Sequence, residues 1–243
     1  MAIQSSGAIS LSDLQTEFGG SNPISLSEYY QNASPDLVTA NNTNVPNTGN
    51  PISLDDFYAA TLANTVTYEI IGGGGEGAGG YTGQGNGSAG TDSSLASFSG
   101  TSFTTVTSTG GAGGTQPAPF NGLYRTGEAG EASYYGSGGG GGLNSNSGNQ
   151  TPGFNAPSTS YGAGGGGGGA APFSANNGGG GGKAATRQTG TLLLAPGSVI
   201  TVTIGTGGNV ISGGGNGAGG YAKLTVGGTD TEFTSSGTYT VPS

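Results

Sequence analysis

Two apolar patterns divide this chain. Over roughly its first quarter the apolar residues recur in one short phrase: AISLSDL at 8–14, PISLSEY at 23–29 and PISLDDF at 51–57. Each copy sets a Ser three residues before an acid, Ser10 with Asp13, Ser25 with Glu28 and Ser53 with Asp56. That is the spacing of a capping box, in which the Ser hydroxyl accepts from the third helical N–H and the acid reaches back to the Ser N–H. Ile9, Ile24 and Ile52 precede the serines, and Leu14, Tyr29 and Phe57 stand at the fourth helical position, as in a hydrophobic staple. The pattern predicts three short capped helices. Isolated helices under about 12 residues are marginal in water, so these must dock on one another, on the rest of the chain or on a partner. The Asn-, Thr- and Pro-rich stretch 32–50 reads as a loop between docking points.

From residue 66 onward the period changes. VTYEII at 66–71, TLLLAPG at 191–197, SVITVTIG at 198–205, GGYAKLTVGG at 219–228 and TYTVP at 238–242 are short β-branched or aliphatic groups bounded by Gly and Pro, and each predicts a strand. Between them lie uninterrupted glycine runs at 72–75, 138–142, 164–169 and 178–182. Of the 57 glycines only Gly7, Gly19, Gly20 and Gly49 fall in the first 65 residues. A boundary is therefore placed between an N-terminal module, 1–64, and a glycine-rich domain, 65–243.

An ordered glycine costs about 0.5–1 kcal/mol more backbone entropy than alanine, so ordered glycine runs need a use for the missing side chain. A polyglycine-II helix, with the three-residue turn of polyproline II and no internal hydrogen bonds, supplies one. Such helices can lie side by side and satisfy each other's N–H and C=O groups, as buried backbone requires. The expected fold class is mostly β and irregular: packed polyglycine-II helices framed by short strands. Disorder, the usual fate of Gly-, Ser- and Asn-rich chains, is opposed by the recurring strand-like groups. A collagen helix is opposed by sparse Pro and the lack of a sustained Gly-X-Y repeat.

Charge and composition narrow the function. The chain has 4 basic and 13 acidic residues, net −9, and neither His nor Cys. The side chains for zinc sites, Cys nucleophiles and Ser-His-Asp triads are missing. The first basic residue is Arg125, which opposes nucleic-acid binding. No signal peptide and no membrane-spanning run is expected. NGGGGGKA at 177–184 is the nearest approach to a phosphate loop, but Asn177 and Ala184 replace required residues. Asp13, Glu28, Asp55 and Asp56 read as helix caps rather than metal ligands or catalysts. No catalytic, cofactor or metal residue is assigned.

YEIIGGGGEGAGGY at 68–81, LAPGSVITVTIGTGG at 194–208, GGGNGAGGYAKLTV at 213–226 and FTSSGTYTVPS at 233–243 resemble phrases of the glycine-rich domains of bacteriophage tail-fibre and adhesin proteins. ISLSDLQTEFGGSNPISLSEYY, from residue 9 onward, is similar to a short module at the start of phage structural proteins. The resemblance implies a virion protein whose polyglycine sandwich carries host-recognition loops, with 1–64 attaching it to other virion proteins. The implied partner is a bacterial outer-membrane protein or surface glycan, and homo-oligomerisation is open. The alternatives are a capsid decoration protein that binds no receptor and, more remotely, a polysaccharide depolymerase using two carboxylates. The segments 94–107, 116–125, 133–135, 143–161 and 171–177 are the candidate contact loops. Phe120, Tyr124, Tyr134, Tyr135, Phe154, Tyr161 and Phe173 are candidate receptor contacts, aromatic rings that either stack on a ligand or cover the flanks of the glycine stack.

Overall fold

The computed structural model describes residues 3–20, 22–30, 44–60, 62–80, 85–99, 103–115, 126–142, 151–169, 178–209 and 213–242. The N-terminal helical elements form where the repeats predict them: α1 (Leu11–Phe18) and two 3-10 turns, Leu26–Glu28 and Leu54–Phe57. At α1 the box is complete: Asp13 N–H donates to Ser10 Oγ at 3.2 Å, and Ser10 N–H donates to Asp13 Oδ2 at 2.8 Å. That backbone bond, with a second from the Ser10 hydroxyl, holds the Asp13 carboxyl below its ordinary range. At the third repeat Ser53 N–H donates to Asp56 Oδ2 at 2.7 Å. The second repeat departs from expectation. Ser25 Oγ accepts from Ser27 N–H, not from Glu28, because a single three-residue turn brings the second amide to the cap.

The staple residues Leu14, Tyr29 and Phe57 are all fully buried. Tyr29 and Phe57 meet edge to face at 6.2 Å and Phe18 lies 6.4 Å from each, the centre of a core that also takes Ile3, Ile9, Val45 and Ala60.

A second core lies between two antiparallel four-stranded sheets. One has the order β4 (Arg187–Leu194), β1 (Asn64–Ile71), β6 (Tyr221–Val226), β7 (Thr229–Phe233). The other runs β3 (Val106–Ser108), β2 (Ser93–Ser99), β5 (Val199–Thr203), β8 (Gly237–Thr240). Val66, Ile70, Leu194 and Leu224 of the first sheet pack against Leu95, Ile200 and Val202 of the second. Alternation along β1 leaves Thr67 and Glu69 on the opposite face. β6 and β7 are joined by Gly227 and Gly228, at φ 55° and 79°, the double positive φ that a tight two-residue hairpin needs. The segment 94–107, expected as a loop, is largely β2 and β3, because Leu95 enters the sandwich core.

Strands pass directly into glycine-rich runs. β1 continues as 72–80, β3 as 109–115 and β5 as 204–209, while 85–92, 178–186 and 213–220 lead into β2, β4 and β6. Two fully buried serines sit at this transition. Ser93 Oγ donates to Ile71 C=O at 2.7 Å and accepts from Gly205 N–H, and Ser108 Oγ donates to Thr186 C=O at 2.6 Å and accepts from Gly72 N–H.

Within the runs, hydrogen bonding repeats every third residue. Gly73 and Glu76 donate to Thr91 and Ser88, Gly74 and Gly77 to Ala218 and Gly215, and Gly75 and Ala78 to Lys183 and Gly180, all at 2.8–3.0 Å. The same run accepts from Gly111 and Gly114, from Gly165 and Gly168, and from Gly208. The 72–80 run therefore donates to three neighbours (85–92, 213–220, 178–186) and accepts from three others (109–115, 162–169, 204–209). These six are bonded in turn to one another, closing a ring around it. The 162–169 run has a ring of its own: 72–80, 178–186, 126–132, 137–142, 151–157 and 213–220. Both central runs are buried throughout, whereas on the flanking run 109–115 only every third residue, Thr109, Ala112 and Thr115, is exposed. Among the described residues no helix is long and apolar enough to cross a membrane.

The packing has a position-specific consequence. A Cβ on Gly73 would meet Thr206 C=O, and one on Gly165 would meet Gly215 C=O, both well inside the 3.0 Å that real Cβ atoms keep. At Gly140 the nearest atom is Phe154 Cδ2 at 3.5 Å, an ordinary contact. Gly165→Ala is expected to destabilise the fold by about 1–3 kcal/mol, and Gly140→Ala to stay within about 0.5 kcal/mol of wild type. Denaturant unfolding of the two variants checks this; equal tolerance would refute the packing described.

Candidate functional site

Two chain segments and one sheet meet at a cluster of tyrosines. Ser133 and Gly136 pair across a tight turn, Ser133 N–H donating to Gly136 C=O at 2.9 Å, which projects Tyr134 and Tyr135 between the 126–132 and 137–142 runs. Tyr161 precedes the buried 162–169 run, and Tyr221 opens β6. Tyr161 and Tyr221 stack at 4.7 Å with their planes 15° apart, and Tyr135 meets both edge on, at 5.5 and 5.0 Å. Tyr134 packs edge on to Tyr135 at 5.3 Å.

The sheet supplies the charge. Cross-strand register sets Ile71 opposite both Arg187 and Tyr221, and Glu69 opposite Lys223. On the face turned away from the sandwich core, Arg187 Nε donates to Glu69 Oε1 at 2.6 Å. The guanidinium carbon also lies 4.0 Å from the Tyr134 ring centroid. That hydrogen bond holds the Glu69 carboxyl below its ordinary value against the opposing effect of burial, helped by the Tyr135 hydroxyl. Burial, with the Glu69 charge, pushes the Tyr135 hydroxyl up to about 12. Burial and a hydrogen bond to Glu232 raise that of Tyr221. Both phenols are therefore neutral donors at physiological pH. Of the other described cations, Lys183 pairs with Glu131 at 2.8 Å and Lys223 with Asp230 at 3.5 Å, so each described cation faces an acid.

Tyr134, Tyr135 and Tyr161, three of the aromatic residues singled out from the sequence, thus come together. Their exposure divides: Tyr135 and Tyr161 are half-buried against each other and Tyr221, while Tyr134 is 69% exposed. Phe154 stands apart on the 151–157 run, 56% exposed and lying over Gly140. Phe120, Tyr124 and Phe173 lie outside the described residues, as do the segments 116–125, 143–150 and 171–177. Glu69, Arg187 and Tyr221 were missed by the sequence reading. The available signals were an acid interrupting an apolar strand and one of only four cations at the start of another.

Among the described residues no group of three or more acids is placed to hold a metal ion. The chemistry the cluster offers is noncovalent: an exposed aromatic face, phenol donors and an internally neutralised ion pair. No protein-family model matches the chain, and neither a curated protein nor a solved structure is similar enough to match it.

The Glu69–Arg187 pair gives a pH signature. Because the Glu69 carboxyl is lowered when folded, its stabilisation is complete above the ordinary value of 4.5 and disappears as the pH falls through the lowered one. Arg187→Met strands a nearly buried carboxylate and so lowers stability at pH 7. Thermal unfolding against pH should show the gap from wild type closing as the pH falls below 4.5. A gap independent of pH would refute the coupling.

Proposed function

We propose that this chain is a bacteriophage virion protein of the tail fibre or tail tip, in which the glycine-rich domain displays its connecting segments to a receptor on the bacterial surface. Residues 1–64 attach it to other virion proteins, and the protein acts by binding rather than catalysis. The runs are read as polyglycine-II helices, three residues to the turn with all hydrogen bonds made to neighbours.

The observation that carries the reading is the three-residue hydrogen-bond repeat around the 72–80 and 162–169 runs. A helix that directs successive N–H groups to three sides donates to three neighbours and accepts from three more, the arrangement seen at both centres. Such a frame is held mainly by backbone hydrogen bonds, so the segments linking the runs are released from core duty and can vary with the receptor. Tyr134 and Phe154, exposed at the rim, are side chains of the kind that anchor binding surfaces. The resemblance to phage adhesin phrases points the same way, and the separate N-terminal core supports an attachment module.

The test is competition. Purified chain, incubated with host cells before phage is added, is expected to lower the adsorption rate several-fold. Unchanged adsorption, together with a copy number matching the capsid lattice, would overturn this reading in favour of a decoration protein.

A further inference from the structure

We propose that Tyr134, set on Arg187 and Glu69, is a stacking platform for one neutral pyranose unit of a surface glycan; this rests on the receptor-binding reading above and names the ligand class for one part of that surface. Tyr134 is 69% exposed although one ring face lies against the Arg187 guanidinium, so the free face is the opposite one. The ring is backed by Arg187 on one face and packs in a T-shaped contact with Tyr135, so little rotamer freedom remains to be lost on binding. A pyranose matches such a surface. Its axial C–H face is weakly positive and complements the negative face of an aromatic ring, while its hydroxyls need donors and acceptors at the rim.

Arg187 supplies the donors. Its side chain is 37% exposed, and only Nε, one of the five N–H donors of a guanidinium, is engaged by Glu69. The charge count selects a neutral sugar. Glu69 and Arg187 cancel each other, Lys223 is engaged by Asp230, and Glu232 stands in register beside Lys223, so an acidic sugar gains no net attraction. A cationic group gains little from a ring already backed by a guanidinium. The platform is a single ring on the open face of a sheet, the size of one sugar rather than of a peptide strand.

The experiment uses the full chain on a printed array of neutral and acidic bacterial surface oligosaccharides, with host-cell adsorption measured in parallel. Wild type is expected to bind neutral oligosaccharides, Tyr134→Ala to lose about tenfold or more in affinity, and Tyr134→Trp, which keeps an aromatic face, to retain binding. Far-ultraviolet circular dichroism of each variant confirms folding. Binding confined to acidic oligosaccharides, or equal binding by wild type and Tyr134→Ala, overturns the proposal. Adsorption to cells without any array binding sinks the glycan platform and leaves the receptor-binding reading standing. Array binding that depends on Tyr134, without adsorption to cells, does the reverse.

Discussion

The structure depends on the approach of one bare backbone to another. At Gly75, Gly77 and Gly165 the carbonyl of one neighbouring run occupies the space where a Cβ would be, and the N–H of the same residue donates to a carbonyl of a different neighbouring run. Glycine's entropic cost and its lack of a side chain are thus two sides of one arrangement: only a residue without Cβ lets the chains close to hydrogen-bonding distance on every side. In an ordinary core, buried apolar area offsets chain entropy. Here the buried material of the two central runs is almost entirely peptide group, and a missed hydrogen bond there would strand a buried polar atom at about 1–3 kcal/mol.

The β-sandwich and the glycine runs form one continuous object. Both sheets hand their strands to the stack, three from each, so the hydrophobic core helps fix the relative positions of six runs. Ser93 and Ser108 serve the handover: where strand pairing stops and the three-residue repeat begins, their hydroxyls take up backbone groups that neither pattern satisfies. Hydroxyls continue along the outer seam, where Thr206 N–H donates to Thr91 Oγ1 and Asn209 N–H to Ser88 Oγ. The tyrosine cluster lies at this same transition, with Arg187 and Tyr221 at the first positions of β4 and β6, which is why its side chains are held firmly.

Elements with a side-chain signature were legible in the sequence. Ser10 and Asp13 announce α1, Leu14, Tyr29 and Phe57 announce their own burial, and the aliphatic phrases announce β1, β4, β5, β6 and β8. The serine-rich β2, the three-residue β3 and the acidic β7 were missed, because Leu95 alone carries the core contact of β2, β3 is too short to show a pattern, and the Gly227–Gly228 turn alone signals β7. Which run neighbours which was not legible, since glycines carry no side chain to encode a register. Tyr134, Tyr135 and Tyr161 were singled out one by one as aromatic residues, and nothing in the sequence signalled that they meet. The ion pair beneath them joins residues 118 apart in sequence through strand pairing that no local pattern records.

Amide hydrogen exchange read by nuclear magnetic resonance tests the central claim most directly, since it reports the backbone bonds on which the account rests. The amides of Gly75, Gly77, Gly165 and Gly168, each bonded to a neighbouring run inside a closed ring, should exchange about a thousandfold or more slower than unstructured glycine, alongside those of β1 and β6. Exchange of these four amides within about tenfold of the unstructured rate, with β1 and β6 still protected, would contradict it.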